Sequence, residues 1–264
     1  MKFKLWKPKN TFFVLEIMPE RVNGLLLGLD REQRLRPRKF FEDTDWKHLS
    51  KRPMLRHLTG SIVIAADSSV AHTALVPVHL NRENKEHPLT ATELENLLAQ
   101  EVGKVFSVCR KEAGKQLKVD ELDVILAASR VMNFRIDGHR VLNPLGFKAS
   151  ELEVVLELIL TTRPVYDDIK NFAQREDFFF TELTRSELNV LQKTETPPLS
   201  VLHLGETGST YATIDAAKVG QAITRGNFPF RTGSLLEAFE KNWAVSPETA
   251  TWMISAKRSV CGRE

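Results

Sequence analysis

The most regular stretch of the chain runs from Leu152 to Leu160. Leu152, Val154, Leu156, Leu158 and Leu160 occupy every second position, and Glu153 and Glu157 stand between them. A period of two belongs to a strand with one buried face, because side chains alternate across the pleat, whereas a helix would mix the glutamates with the leucines. The spacing predicts a long strand, with Glu153 and Glu157 facing solvent. Just upstream, Phe134-Arg135-Ile136 and His139-Arg140-Val141 flank Asp137-Gly138, a dipeptide that suits the two positive-φ positions of a tight hairpin. Asp137 is read as a turn residue and not as an acid catalyst. Asn143-Pro144-Leu145-Gly146 predicts a second turn, with proline fixing φ and glycine free to take the left-handed conformation.

Other elements follow from similar patterns. Thr90-Ala91-Thr92-Glu93 has the spacing of a capping box, and Leu94, Leu97, Leu98, Val102, Val105, Phe106 and Cys109 share one helical face. That helix is expected to stop at Gly114, followed by a strand from Asp123 to Ala128. Toward the N-terminus, Phe12–Met18 and Val22–Leu29 predict two antiparallel strands joined by Pro19-Glu20-Arg21, and residues 30–60 a third strand with a linker. Ser61–Ala66 and Ala71–Val78 predict two more strands around Asp67-Ser68-Ser69. Beyond residue 160, a helix is predicted from Arg163-Pro164 through Phe172 and a short one over Thr184–Leu191. A strand over Leu199–Leu204 leads into a loop, Gly205–Thr210, and a return strand from Tyr211. Helices are predicted again from Thr232 to Phe239 and from the Ser246-Pro247 cap.

Composition narrows the class without naming a function. The 264 residues, 42% hydrophobic and 27% charged, suit a soluble globular chain of more than one module. The net charge of +3 is unevenly spread: residues 1–57 carry 14 Lys and Arg against 7 Asp and Glu. Because these cations are interspersed with apolar residues, they are read as a solvated basic face, and no nucleic-acid partner is expected. Cys109 and Cys261 stand far apart with no CxxC or histidine spacing, so no metal site is expected and a reducing, cytoplasmic setting fits. No apolar run reaches the length needed to span a bilayer, and the opening Met1–Lys9 stretch has no signal-peptide core.

Asp137-Gly138, Asn143-Pro144-Leu145-Gly146-Phe147 and the strand holding Leu152-Glu153 occur in the order of a segment of FtsA, the actin-like bacterial cell-division family, and the chain resembles that family. Ala149-Ser150 stand where the family has a glycine. The resemblance implies an α/β fold of the actin/Hsp70-like ATPase type with a small inserted α+β subdomain, called 1C and related to the SHS2 module. It divides the chain into a partial first lobe (1–59), the 1C/SHS2-like subdomain (60–162) and a partial second lobe (163–264). The fold is expected to be incomplete, since no 2B subdomain can be traced. PilM, the related component of type IV pilus assembly, is the close alternative.

The resemblance also places the family's nucleotide loops, and the residues there depart from them. The first phosphate loop falls on Glu16-Ile17-Met18-Pro19-Glu20-Arg21, which supplies bulk, a missing N–H and negative charge where a phosphate cradle needs glycines and small hydroxyl residues. The second falls on His203–Thr210. His203 stands in place of the aspartate that holds magnesium through water, and Thr210 in place of a later aspartate; neither replaces a carboxylate for a hard cation. On the residues alone, His203 is read as a satisfied, partly buried histidine and Gly205–Gly208 as a hairpin turn.

No catalytic constellation is found, so the expected function is a non-catalytic scaffold acting by protein–protein contacts, with a degenerate nucleotide site and no cofactor. The implied partners are other division or pilus proteins, including FtsZ-like or septal membrane proteins, along with self-association. The implied place is the cytoplasm, peripheral to the inner face of the cell membrane. The alternative is an ATP-binding conformational switch, in which Gly205, Gly208, Ser209 and Thr210, with Glu16, form a weak site for ATP and magnesium.

Overall fold

The computed structural model describes residues 11–19, 21–45, 61–173, 178–194, 198–204, 208–214, 223–228 and 230–249. Three sheets organise them. The first has the order β3-β2-β1-β4-β9, with β1 (Thr11–Ile17), β2 (Val22–Leu29), β3 (Leu35–Thr44), β4 (Ser61–Ala66) and β9 (Phe178–Glu182). Strand β2 runs antiparallel to both β1 and β3, while β4 runs parallel to β1 and β9 parallel to β4. Alternation in β1 turns Phe13, Leu15 and Ile17 into a core shared with Ile62 and Ile64 of β4. The helix α2 (Arg163–Ala173) packs on this core, with Ile169 fully buried and the Phe172 ring 5.8 Å from that of Phe13.

The second sheet, β5-β8-β6-β7, is formed by β5 (Ala71–Asn81), β6 (Val124–Ile136), β7 (His139–Val141) and β8 (Glu151–Thr162). Helix α1 (Ala91–Leu117) covers one face, and Leu94, Cys109 and Ala113 pack with Leu152, Val154, Leu156, Leu158 and Leu160. The predicted cap is present: the Thr90 hydroxyl accepts from the Glu93 N–H at 3.2 Å. Glu93 does not close the box but pairs with the buried Arg82 at 2.8 Å. Nor does the helix stop at Gly114. It continues to Leu117 and ends on Lys118 in the left-handed conformation, with the Val119 N–H reaching back to the Gly114 carbonyl. Gly114 serves close packing instead, since a Cβ there would lie 3.2 Å from the Val119 carbonyl oxygen.

The hairpin and turn form as the sequence predicts. Asp137 and Gly138 both have positive φ, 48° and 81°, and the Asp137 carboxylate accepts from Ser150 Oγ and the Glu151 N–H. Asn143 Oδ1 accepts from the Leu145 N–H, and Gly146 has φ of 85°. The strand predicted over Asp123–Ala128 runs on into the hairpin as the single 13-residue β6, bent by two register irregularities against β8.

The third sheet, β10-β11-β12, comprises β10 (Leu199–Leu204), β11 (Ser209–Ile214) and β12 (Ile223–Phe228). Its core is Leu188 of α3 (Leu183–Thr194) with Val201, Ala212 and Ile214. Helix α4 (Thr232–Trp243) follows it, and residues 247–249 are helical again, with the Ser246 hydroxyl accepting from the Thr249 N–H.

Three sequence readings are corrected here. The module expected to begin near Gly60 begins later, at β5, because β4 hydrogen-bonds between β1 and β9 in the first sheet. By the same test β9, expected in the second lobe, belongs to the first sheet. Glu157, expected in solvent, is 2% exposed. It lies where β8 has become central, with Ile159 and Thr161 buried beside it, so both faces of that half of the strand are covered.

Candidate functional site

The carboxyl ends of the parallel strands are where an α/β sheet offers a site, because the strand order and loops leave a crevice there. In this chain four elements meet at that end: the turn after β4, the start of α3, and the facing ends of β10 and β11. Asp67 forms the turn, its N–H bonded to the Ile17 carbonyl at 2.8 Å. Its Oδ1 accepts from the Ser69 N–H at 2.8 Å and the Ser69 hydroxyl at 2.5 Å. Its Oδ2 faces His203 Nε2 at 3.5 Å, and the other imidazole nitrogen faces Glu187 Oε1 at 3.5 Å. His203 therefore ties the third sheet to the first through Asp67, and to α3 through Glu187.

Two flanking carboxylates decide the charge of this imidazole. They outweigh desolvation and push the His203 pKa up to about 10, with Asp67 the larger contributor. Burial works against the Asp67 carboxylate, but its bonds from His203 and Ser69 prevail and hold it below the ordinary range. The result is a half-buried imidazolium between two carboxylates. An imidazolium of that kind has no free lone pair to accept a proton, and Ser69 bonds Asp67 without touching the ring, so no hydroxyl–imidazole nucleophile is formed.

The sequence-predicted site residues are placed as follows. Glu16 lies in β1 opposite Asn23, whose side-chain amide donates to it at 3.1 Å. The segment after it is a tight turn closed by the Met18 N–H on the Arg21 carbonyl, with the Arg21 guanidinium on the Met18 sulfur. Ser209 and Thr210 are in strand β11, not in a loop, paired in register with Leu204 and His203. Both are buried, the Ser209 hydroxyl donating to the Phe230 carbonyl and the Thr210 hydroxyl bonded to that of Thr184 at 2.8 Å. Gly208 is half-buried just before the strand. Gly205 lies outside the described residues. Among the described residues no group of three or more His, Cys, Asp or Glu side chains could hold a metal ion.

Sequence reasoning missed the partners of His203. Asp67 and Glu187 are distant in the chain, and no local pattern announces a pair that forms only when sheets meet. It also missed a second buried charge cluster. Glu157 accepts from Arg185 Nε at 2.7 Å and from Arg130 Nη1 at 2.9 Å, while Arg130 stacks on the Phe179 ring at 4.0 Å and donates to the Phe180 carbonyl. The signal for it was present as a lone glutamate amid an apolar run.

Beside this cluster is a groove of about 470 Å³ between β5, α1 and the start of α3. Its walls include Leu75, Val76, Val105 and Cys109, with Arg185 and Ala212 from the side of the third sheet.

With this geometry in view, the chain can be set beside known proteins. No family model matches it, and no curated protein does. Among solved structures it is similar to a PilM-PilN type IV pilus biogenesis complex, at 11% identity over 92% of this chain and 68% of that one, with a TM-score of 0.48. It is similar to the cytoplasmic domain of EpsL, an inner membrane component of the type II secretion system of Vibrio cholerae, at 10% identity over 89% and 77%, TM-score 0.39. A Bacteroides thetaiotaomicron protein of actin-like ATPase fold and unknown function shares 12% identity over 92% and 80%, TM-score 0.45. What decides the fold is the strand order itself, three antiparallel strands continued by two parallel ones, with an α+β module inserted between β4 and β9 and a further sheet after them. The fold is actin-like. Among the described residues no helix is long and apolar enough to cross a membrane.

Proposed function

We propose that this chain is a non-catalytic scaffold of the actin-like fold, working by protein–protein contacts. The observation that carries the reading is His203 between Asp67 and Glu187, both at 3.5 Å. A magnesium–phosphate group needs free carboxylates for the cation and free N–H or hydroxyl donors for the anion. Here an imidazolium supplies the cation internally and takes up both carboxylates. The hydroxyls of Ser209 and Thr210 are bonded within the protein, and the first loop is a closed turn carrying Pro19. Among the described residues the site is filled by its own side chains, which supports a fold kept for its surfaces.

Titration calorimetry of ATP with magnesium into the full chain tests this, with no binding heat expected at millimolar ATP. Saturable binding, or magnesium-dependent hydrolysis abolished by Thr210→Ala, would overturn the scaffold reading and put the nucleotide switch in its place.

For the setting we put the PilM-like alternative, a scaffold of type IV pilus or secretion assembly at the cytoplasmic face of the membrane, ahead of an FtsA-like role in division. Capture with the cytoplasmic segment of an inner-membrane pilus or secretion protein is the expected outcome. Capture with an FtsZ-type C-terminal tail instead would restore the division setting.

A further inference from the structure

Arg185 is the point from which a ligand can be inferred. It is 4% exposed, its Nε is committed to Glu157, and its Nη1 has no hydrogen-bond partner although buried. The single carboxylate of Glu157 is shared between Arg185 and Arg130. A buried guanidinium with an unmet donor is costly, and a carboxylate is the group whose planar geometry matches it. Arg185 also forms part of the wall of the groove of about 470 Å³ described above.

The rest of the groove says what accompanies the carboxylate. Its walls are mostly apolar, with Leu75 and Val76 from β5 and Val105 and Val108 from α1; Val108 is 71% exposed at the rim. The other acidic and basic residues of the groove wall besides Arg185 and His72 are Glu112 and Lys104, both on α1, and Lys104 already bonds Glu101. The volume suits a few side chains of an extended segment and falls in the range of ordinary ligand sites. An apolar trough with a buried guanidinium in its wall recognises aliphatic side chains placed next to an acidic one.

We propose that this groove is the partner-docking site of the scaffold, and that it receives an extended protein segment in which an aspartate or glutamate, flanked by aliphatic residues, is placed on Arg185. The inference rests on the scaffold reading and adds to it the chemistry of the partner.

The test is selection of random dodecapeptides on the full chain, followed by affinity measurement of the enriched sequences by fluorescence polarisation. Enrichment of acidic residues among aliphatic ones is expected. Binding should weaken about tenfold or more when the peptide's acid is replaced by its amide, the effect of removing one charge-assisted bond. Two variants locate the site. Arg185→Gln removes the anchor, and Val108→Asp, at an exposed position that the fold does not need, puts a repelling charge at the rim. Both should weaken binding at least tenfold, and Val108→Asp should do so with an unchanged melting temperature. The proposal is overturned if no sequence is enriched, if the enriched peptides show no acidic preference, or if Val108→Asp leaves their affinity unchanged. ATP calorimetry keeps the two readings apart: no nucleotide and no peptide would sink the groove alone, whereas nucleotide binding would sink the scaffold.

Discussion

Replacing His203 by glutamine gives the sharpest test of the junction between the sheets, because its consequence depends on pH with a definite sign. The free imidazole titrates at 6.5, and between Asp67 and Glu187 it titrates at about 10. At about 1.4 kcal/mol for each tenfold change in proton affinity, this rise sets an upper bound of about 5 kcal/mol on what the charged form contributes. Both contacts are 3.5 Å long and the side chain is 19% exposed, so solvent screening reduces the figure. Taking about half, roughly 2 kcal/mol is the working value, and for a chain of this length it corresponds to a melting shift of about 4–8 °C. Since the folded value lies above the unfolded one, the contribution is complete below pH 6.5 and is lost as pH climbs toward 10. Asp67 adds an acid limb, because its lowered carboxyl stabilises above 3.8 and ceases to do so as pH falls through its folded value. Thermal melts of the parent and His203→Gln chains from pH 6 to 10 should therefore show two curves that converge upward in pH. A gap that stays constant, or widens toward pH 10, would refute the ion-pair account of the junction.

Three further outcomes are expected. Glu157→Gln strands the guanidinium groups of Arg130 and Arg185 without their shared carboxylate and should cost about 3–5 kcal/mol in urea unfolding; a loss under 1 kcal/mol would mean the cluster is hydrated. Leu158→Ala, at a fully buried position of the central strand β8, should cost about 2–5 kcal/mol by the same measurement, and a neutral result would show that the core collapses around the gap. Gly138→Ala forces a Cβ onto a residue at φ of 81°, with nothing nearby to crowd it, so it should lose only about 1–2 kcal/mol; an unchanged denaturation midpoint would show that the turn readjusts freely.

Features set by neighbouring residues were legible in the sequence. The Asp137-Gly138 turn, the Thr90 cap and the alternation of Leu152 to Leu160 appear in the fold as read, because each rests on backbone preferences and periodicities of a few adjacent positions. The replacement of nucleotide-loop residues by Met18, Pro19 and His203 was legible too, as a matter of which donors and carboxylates the chain supplies. What only the tertiary structure decided were contacts between distant segments. Strand alternation says which residues share a face but not what covers it, so Glu157 read as exposed until Arg130 and Arg185 closed over it. Strands β4 and β9 have no local mark of the sheet they join; pairing of β4 with β1 on one side and β9 on the other assigns them. Ser209 and Thr210 changed from loop to strand because register with His203 and Leu204 extends the ladder. His203 alone was a histidine near a turn. Its charge, and with it the closed state of the site, comes from Asp67 and Glu187, which the folding of separate sheets brings to its two nitrogens.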